Sequence, residues 1–220
     1  MTLEPLWGII NLDYSQNKQI QEVRHLSTHK QVPDIRFKGF HEEWELRKLS
    51  DIAESFEYGL NAPSTEYDGE NKYLRITDID EETRLFKTDS LTSPNTDLSK
   101  ADSYRLETGD ILFARTGASV GKTYIYDDKD GVVYYAGFLI RSKLKPKFDS
   151  NFVFQNTLTD RYYNFIKVTS QRSGQPGVNA QEYASFKLYI PTLYEQSKIG
   201  TLFKQLDKNI SLQQQKLNLL

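Results

Sequence analysis

Glycine, lysine and threonine occur in the segment RTGASVGKT, residues 115–123, at a spacing close to that of a phosphate-binding loop. Such a loop has four residues between its two glycines, and it leads into a helix whose N-terminus meets the phosphates. Here three residues separate Gly117 from Gly121, and the letters that follow, TYIYDDKDGVVYY, are typical of strands. The segment therefore predicts a tight turn between two strands, with both glycines at positive φ, and argues against nucleotide binding.

No set of residues typical of catalysis accompanies this turn. The chain has no cysteine, which excludes disulfides, zinc–thiolate sites and cysteine nucleophiles. It also lacks the tetrapeptide N/D-P-P-Y/F and a glycine-rich loop for S-adenosylmethionine, so we expect no methyl transfer by this chain itself. The sequence predicts a protein that is not an enzyme and that binds no metal and no cofactor.

The composition is that of a soluble globular protein with one domain, or with one domain and an appendage. Hydrophobic residues make up 38% of the chain and charged residues 26%. Aromatic residues make up 13%, mostly Tyr and Phe, which favours β-rich structure. No stretch approaches the roughly 18 apolar residues of a membrane span, so we expect a cytoplasmic protein.

Charge is distributed unevenly along the chain. Residues 42–110 contain eighteen acidic and eight basic side chains, whereas residues 111–187 contain eleven basic and six acidic ones. The second half can therefore supply a surface that faces phosphates, although the net charge of −2 gives no overall case for nucleic acid. The alternative is that the charge of solvated faces simply varies along the chain.

Alternating and apolar runs predict an α+β domain over residues 35–191, after an N-terminal extension or linker over residues 1–34. Helical spacing predicts one helix after a short strand in residues 44–56, and another in residues 152–166. Strands are predicted at KYLRITDID, which ends near Asp78, and at ILFA, TYIY, VVYYAGFLIRSKL and FKLYIP. DDKDG is expected to turn a hairpin between TYIY and VVYY. The strands are expected to form a twisted mixed sheet that packs with the helices.

Residues 192–220 carry the pattern of a helix with an apolar seam. Thr192 and Glu195 match a capping box at the helix start. Seven positions then recur at alternating spacings of four and three, with Gln213 as the polar member. The apolar positions of this seam are Ile199, Phe203, Leu206, Ile210, Leu217 and Leu220. The seam predicts a projecting helix of the coiled-coil type that pairs with another helix, and the alternative is a helix packed on its own domain.

Four segments in order carry a resemblance to a known family. They read VPDIRFKGFHEEWELRKLSDIA, YLRITDID, LETGDILFARTGASVGK and GQPGVNAQEYASFKLYIPTLYEQSKIGTLFKQLDKNI. Together, across residues 32–220, they resemble the specificity subunit of type I restriction–modification enzymes. The resemblance implies a target-recognition domain that reads half of a bipartite DNA site, followed by a spacer helix that docks methyltransferase subunits. Subunits of that family carry two such domains and two helices paired antiparallel, so this chain resembles half a subunit.

Two polar loops with glycine are the candidate phosphate contacts, because small residues admit backbone N–H groups while Arg and Lys add charge. Since both loops match segments shared in the family, phosphate contact or loop architecture is expected of them, and turn formation with incidental charge is the alternative. Base readers are expected at Arg75 and Thr77 and in the loops over residues 61–67 and 134–141. The alternative for Arg75 is an exposed strand arginine with a salt-bridge partner. The predicted DNA-binding residues are Arg75, Thr77, Arg115, Thr116, Gly117, Ser119, Lys122, Arg172, Ser173, Gln175 and Asn179.

We therefore expect a non-catalytic specificity subunit whose partners are double-stranded DNA, a methyltransferase (modification) subunit and, through it, a restriction subunit. A second specificity-subunit helix is the further partner, from an identical chain in a homodimer or from another subunit, and no membrane is involved. Two identical readers predict an inverted-repeat target with a fixed spacer. The alternatives are a truncated interaction protein that binds methyltransferase or specificity subunits without reading DNA, and a nucleotide-dependent enzyme built on the glycine loop.

Overall fold

A computed structural model describes Pro33 and residues 35–217. Within these residues the chain forms ten strands, five α-helices and several short 3-10 turns. The strands are β1 (Glu45–Lys48), β2 (Ala53–Tyr58), β3 (Ser64–Glu66), β4 (Lys72–Leu74), β5 (Thr92–Pro94), β6 (Ile111–Ala114), β7 (Thr123–Ile125), β8 (Val133–Tyr135), β9 (Leu139–Leu144) and β10 (Lys187–Ile190). The helices are α1 (Leu49–Ile52), α2 (Ser150–Asn156), α3 (Asp160–Thr169), α4 (Ala180–Ala184) and α5 (Leu193–Leu217).

The centre of the domain is a four-stranded antiparallel sheet in the order β2–β9–β6–β7. Three two-stranded pairs surround it, β1–β10 and β3–β5 antiparallel and β4–β8 parallel. The predicted α+β class is confirmed, with parallel pairing in the described residues confined to β4 and β8 and one isolated bridge, between Leu60 and Ala136.

Both faces of strand β6 are buried, which explains why its sequence, ILFA, is apolar without alternation. Ile111 and Phe113 belong to the larger core cluster, together with Phe152 of α2 and Tyr183 of α4. Leu112 and Ala114 point to the opposite face and belong to a second cluster around Tyr124 and Tyr135. At β6 the central sheet is therefore covered on both sides.

Strand partners are the main correction to the sequence prediction. DDKDG does not turn a hairpin, because β7 pairs with β6 and β8 pairs with β4. Residues 128–130 form a 3-10 turn instead, and the hydroxyl of Tyr124 donates a hydrogen bond to Asp130 at 2.7 Å. The choice of partner strand depends on contacts between distant residues, which the local turn signal does not contain.

Three predicted elements are shorter than their sequence patterns indicate. The pattern over residues 44–56 forms one helical turn, α1, between β1 and β2, because residues 53–58 pair with β9. The pattern over residues 152–166 forms two helices, since Thr159 caps a new helix start. Strand β4 ends at Leu74, four residues before the predicted end, because Asp78 folds back onto the chain at Arg75.

The first turns of α5 are fixed to the domain by buried polar contacts. The Thr192 hydroxyl accepts the N–H of Glu195 at 3.4 Å, and the buried Glu195 carboxylate binds Arg36 at 2.6 and 2.8 Å. Gln196 is also buried and accepts the N–H of Asp149, just before α2, at 3.0 Å. Glu195 and Gln196 therefore fix the start of α5 to the rest of the domain.

A glycine brings α5 against α2. A Cβ at Gly200 would lie 2.9 Å from the Phe152 nitrogen, so only glycine permits this approach. Ile199 therefore packs on the core, and Phe203 is buried, so these two residues do not join the predicted pairing seam. The alternative of packing on the chain's own domain is correct for this first part of the helix.

Candidate nucleic-acid interface

The loops that follow four strands meet at one edge of the domain. In the central sheet, Tyr58 at the end of β2 lies opposite Ile140, and Ala114 at the end of β6 lies opposite Leu139. The ends of β4 and β8 reach the same place, since the N–H of Ala136 donates to the carbonyl of Leu74 at 2.9 Å. We call this the loop edge, and it consists of residues 58–61, 75–77, 115–121 and 136–138.

The turn at residues 136–139 is the rigid centre of the loop edge. The N–H of Leu139 donates to the Ala136 carbonyl at 2.8 Å, and the N–H of Arg115 donates to the Phe138 carbonyl at 3.0 Å. Gly59 packs directly under the turn, because a Cβ there would lie 2.6 Å from the Tyr135 carbonyl oxygen and closer still to that of Ala136. The close contact of the two backbones fixes the positions of three loops relative to one another.

The RTGASVGKT segment forms the predicted turn between antiparallel strands, here β6 and β7. Gly117 and Gly121 have φ of 68° and 85°, which confirms the predicted positive φ. Buried Tyr183 supports the turn, since its hydroxyl donates to the Ala114 carbonyl at 2.7 Å and accepts the Gly121 N–H at 3.1 Å. Burial raises the pKa of Tyr183, so the hydroxyl keeps its proton. Because a strand follows this turn, the segment lacks the helix N-terminus that a nucleotide-binding loop leads into.

The second predicted loop packs directly on the first. The N–H of Gly117 donates to the Pro176 carbonyl at 3.0 Å, and that of Val178 donates to the Arg115 carbonyl at 2.9 Å. The amide of Gln175 lies over Gly117, 2.8 Å from where a Cβ would be. Two segments that are more than fifty residues apart in the sequence thus form one surface, which also contains Thr116, Ser119 and exposed Ser173.

Most cations predicted to contact DNA are engaged by carboxylates of this chain. Arg172 binds both oxygens of Glu182 at 2.5 and 2.7 Å. The same Glu182 forms a capping box with Asn179, so Asn179 is a helix cap of α4. Lys122 pairs with Glu81, and its side chain is only 12% exposed. These pairs lower the positive charge that the second half of the chain offers to solvent.

The two predicted base readers after β4 form a local turn. Arg75 binds both oxygens of Asp78 at 2.8 and 2.9 Å, and these hydrogen bonds raise the pKa of Arg75. Thr77 is exposed and its hydroxyl donates to Asp78 at 3.2 Å. Both residues lie at the loop edge, with Arg75 held in place before any ligand arrives.

The predicted reading loop over residues 134–141 is largely buried. Arg141 lies inside the sheet with Glu57, and Asp110 is 3.6 Å away. Burial disfavours the charge on Arg141, but the hydrogen bond with Glu57 and the charges nearby raise its pKa overall. Burial raises the pKa of Asp110. Arg141 is therefore a structural residue, and only the turn before β9 is accessible.

Two exposed aromatic residues belong to the loop edge: Phe138, which lies inside the predicted reading loop over residues 134–141, and Tyr58, which is not among the predicted site residues. Phe138 is 58% exposed at the tip of its turn, and Tyr58 is 44% exposed. The guanidinium of Arg115 lies 4.9 Å from the centre of the Tyr58 ring, a cation–π contact rather than a carboxylate pair. Gly137 lies in the turn that separates β8 from β9 within the run VVYYAGFLIRSKL, whose apolar pattern predicts strand.

Comparison with protein families decides what kind of chain this is. Residues 41–220 match the family described as the Type I restriction modification DNA specificity domain. The chain belongs to this family. In the part of this specificity domain that the structure describes, no helix is both long enough and apolar enough to cross a membrane.

Relatives of the specificity domain agree with this assignment. The chain is 27% identical over 177 residues to the putative type I restriction enzyme MjaX specificity subunit of Methanocaldococcus jannaschii. The aligned region covers 77% of this chain and 40% of that relative. Its fold is similar to that of the HsdS subunit from Thermoanaerobacter tengcongensis, with a TM-score of 0.54 and 14% identity over 80% of this chain and 41% of that one. Its similarity to the S subunit from M. genitalium has a TM-score of 0.56, with 16% identity over 80% of this chain and 42% of that one. The chain thus spans about two fifths of these subunits.

Replacing Gly59 by alanine tests the contact that holds the loop edge together. We expect Gly59→Ala to lower the free energy of unfolding by about 1–3 kcal/mol, because the added methyl group overlaps the Ala136 carbonyl. Gly174 has open space where its Cβ would be, so Gly174→Ala is the matched control and should change stability by less than about 1 kcal/mol. Urea denaturation measures both, and equal stability of the two variants would contradict the assigned contact.

Proposed function

We propose that this chain is a non-catalytic specificity subunit that reads one half-site of a double-stranded DNA target with its loop edge. The convergence of the loops after β2, β4, β6 and β8 carries this proposal. Several short loops on a rigid sheet form a surface whose exposed residues can vary without loss of the fold. Family membership supports DNA as the ligand of such a surface.

The charges of the loop edge support recognition by shape and polar contacts more than by bulk attraction. Arg115 has a ring as its partner and is the cation best placed to meet a phosphate. Arg75, Lys122 and Arg172 already hold carboxylates, which reduces the counterion release that drives non-specific binding. We therefore infer modest affinity for arbitrary DNA and a larger share of binding energy from base edges and DNA shape.

Helix α5 is proposed as the assembly element. It is 25 residues long, and beyond its contacts with α2 it presents apolar side chains, with Ile210 39% and Leu212 46% exposed. Leu206 is half-buried and continues the seam, whereas the side chain of Leu217 and the whole of Leu220 lie outside the described part of the structure. Pairing with another specificity-subunit helix would cover this seam, and the paired helices would dock a methyltransferase subunit and, through it, a restriction subunit.

A second function is favoured by the same carboxylate pairs. If Glu81, Asp78 and Glu182 leave the loop edge too weakly basic to hold DNA, the chain would act through α5 alone. It would then bind methyltransferase or specificity subunits without reading DNA. The two functions differ in one observable, which is sequence preference.

Selection from a random duplex library tests the proposed function. We expect the full chain, mixed with the methyltransferase subunit that recognises it, to enrich an inverted repeat with a fixed spacer. A stable complex with the methyltransferase that enriches no sequence would exclude half-site reading and leave the interaction protein as the function.

Arg115→Ala on the enriched duplex tests the role of the loop edge. We expect weaker binding, and a slope of log K against log salt that is smaller by about one, because one phosphate contact is lost. Lys187→Ala, an exposed strand lysine of β10, is the control and should leave the slope unchanged. Identical slopes for Arg115→Ala and the wild type would place the phosphate contacts elsewhere.

Charged substitutions in α5 test the pairing seam. We expect Leu206→Glu with Ile210→Glu to abolish pairing of the chain, because four like charges would meet in one interface. Gln205→Glu with Asn209→Glu adds the same charge to exposed positions of the same helix and should leave pairing intact. Light scattering measures both, and a Leu206→Glu, Ile210→Glu variant that still assembles would show that the seam is no interface.

A further inference from the structure

Phe138 lies at a position where its apolar side chain does not pack in the core. It is the third residue of the turn at 136–139, a position where small or polar residues such as Gly, Asn, Asp and Ser dominate. Its side chain is 58% exposed, although the neighbouring Leu139 and Ile140 are fully buried. Burial therefore does not explain why the chain has phenylalanine here.

The turn also holds Phe138 in a defined place. The Phe138 carbonyl accepts the N–H of Arg115, and the Leu139 carbonyl accepts the N–H of Gly59 at 3.1 Å. Gly59 and Gly137, on either side of this contact, pack backbone against backbone. The backbone of Phe138 is therefore fixed before a ligand binds, so that only side-chain freedom is lost on binding.

The surroundings of Phe138 match nucleic acid. The N–H of Arg115 donates to the Phe138 carbonyl, and the guanidinium of Arg115 stacks on the Tyr58 ring. Tyr58 pairs with Ile140 in the register of β2 and β9, two positions after Phe138. In protein–DNA complexes, apolar side chains such as Phe enter base steps of the duplex while Arg contacts the phosphate backbone. Charge complementarity thus favours DNA over an apolar protein surface as the occupant.

We propose that Phe138 inserts its ring at a base step of the target duplex, with Arg115 on Tyr58 as the neighbouring backbone contact. The inference rests on the proposed function, and it adds a positioning residue that works by unstacking bases rather than by charge. Apolar side chains that enter a base step partly unstack it and bend the duplex. Steps that unstack easily, such as TA and CA/TG, would be favoured at this position, so Phe138 would contribute to specificity without a hydrogen bond.

Three variants of the full chain test this role on the enriched duplex. We expect Phe138→Ala to weaken binding by about 10- to 100-fold with an unchanged salt slope, because stacking is lost and no phosphate contact is. Phe138→Leu keeps an apolar wedge and should recover part of the affinity. Tyr194→Ala is the control, since Tyr194 is an aromatic residue that is 66% exposed in the first turn of α5, away from the loop edge.

A fluorescent base makes the insertion itself visible. With 2-aminopurine placed in turn at each position of the half-site, the wild type should increase the fluorescence at one step, and Phe138→Ala should not. Wild-type affinity in Phe138→Ala, or a fluorescence increase that persists in it, would overturn the insertion while Arg115→Ala still tests the proposed function. Loss of methyltransferase binding in Phe138→Ala, with DNA binding unchanged, would assign the ring to a protein partner. A wild-type chain that binds no duplex would contradict both proposals.

Discussion

The backbone contact between Gly59 and the turn at residues 136–139 is the constraint on which the rest of the surface depends. There is no room for a Cβ between the two segments, so the end of β2 and the start of β9 are fixed against each other. Strands β6 and β8 end at the same turn, through the N–H of Arg115 and the parallel bridge from Leu60 to Ala136. Loops that are distant in sequence therefore meet on a rigid base, and their side chains can differ without disturbing the core on either face of the sheet.

Several cationic side chains of this domain form ion pairs with carboxylates of the same chain before any ligand binds. Lys122, Arg172 and Arg75 each hold a carboxylate, and Arg36 locks the buried Glu195 at the start of α5. The more exposed of these pairs, such as Arg172 with Glu182, contribute little stability, typically less than about 1 kcal/mol, but they fix the directions of long side chains. The loop edge is left with one ring-stacked arginine and two exposed aromatic residues. Such a surface suits discrimination between sequences better than attraction to any DNA.

The sequence predicts best what is decided locally. The glycine turn at 117–121 follows from residue types alone, and ILFA was recognised as a buried strand from its composition. Strand partners were wrong for β7 and β8 because pairing depends on distant contacts. The pair of Lys122 with Glu81 joins residues 41 positions apart and has no sequence signal, whereas Asp78 lies only three residues after Arg75. Phe138 lies in the predicted reading loop over residues 134–141, but its exposure has no sequence signal because the run around it, VVYYAGFLI, is apolar.

Amide hydrogen exchange tests most directly whether the loop edge is the DNA-reading surface. The full chain would be measured with and without the enriched duplex, at one salt concentration. We expect slower exchange at the four loops of the loop edge, residues 58–61, 75–77, 115–121 and 136–138, with no change in β1, β10 or the exposed part of α5. Protection confined to β1, β10 or α5, with the four loops unchanged, would contradict it.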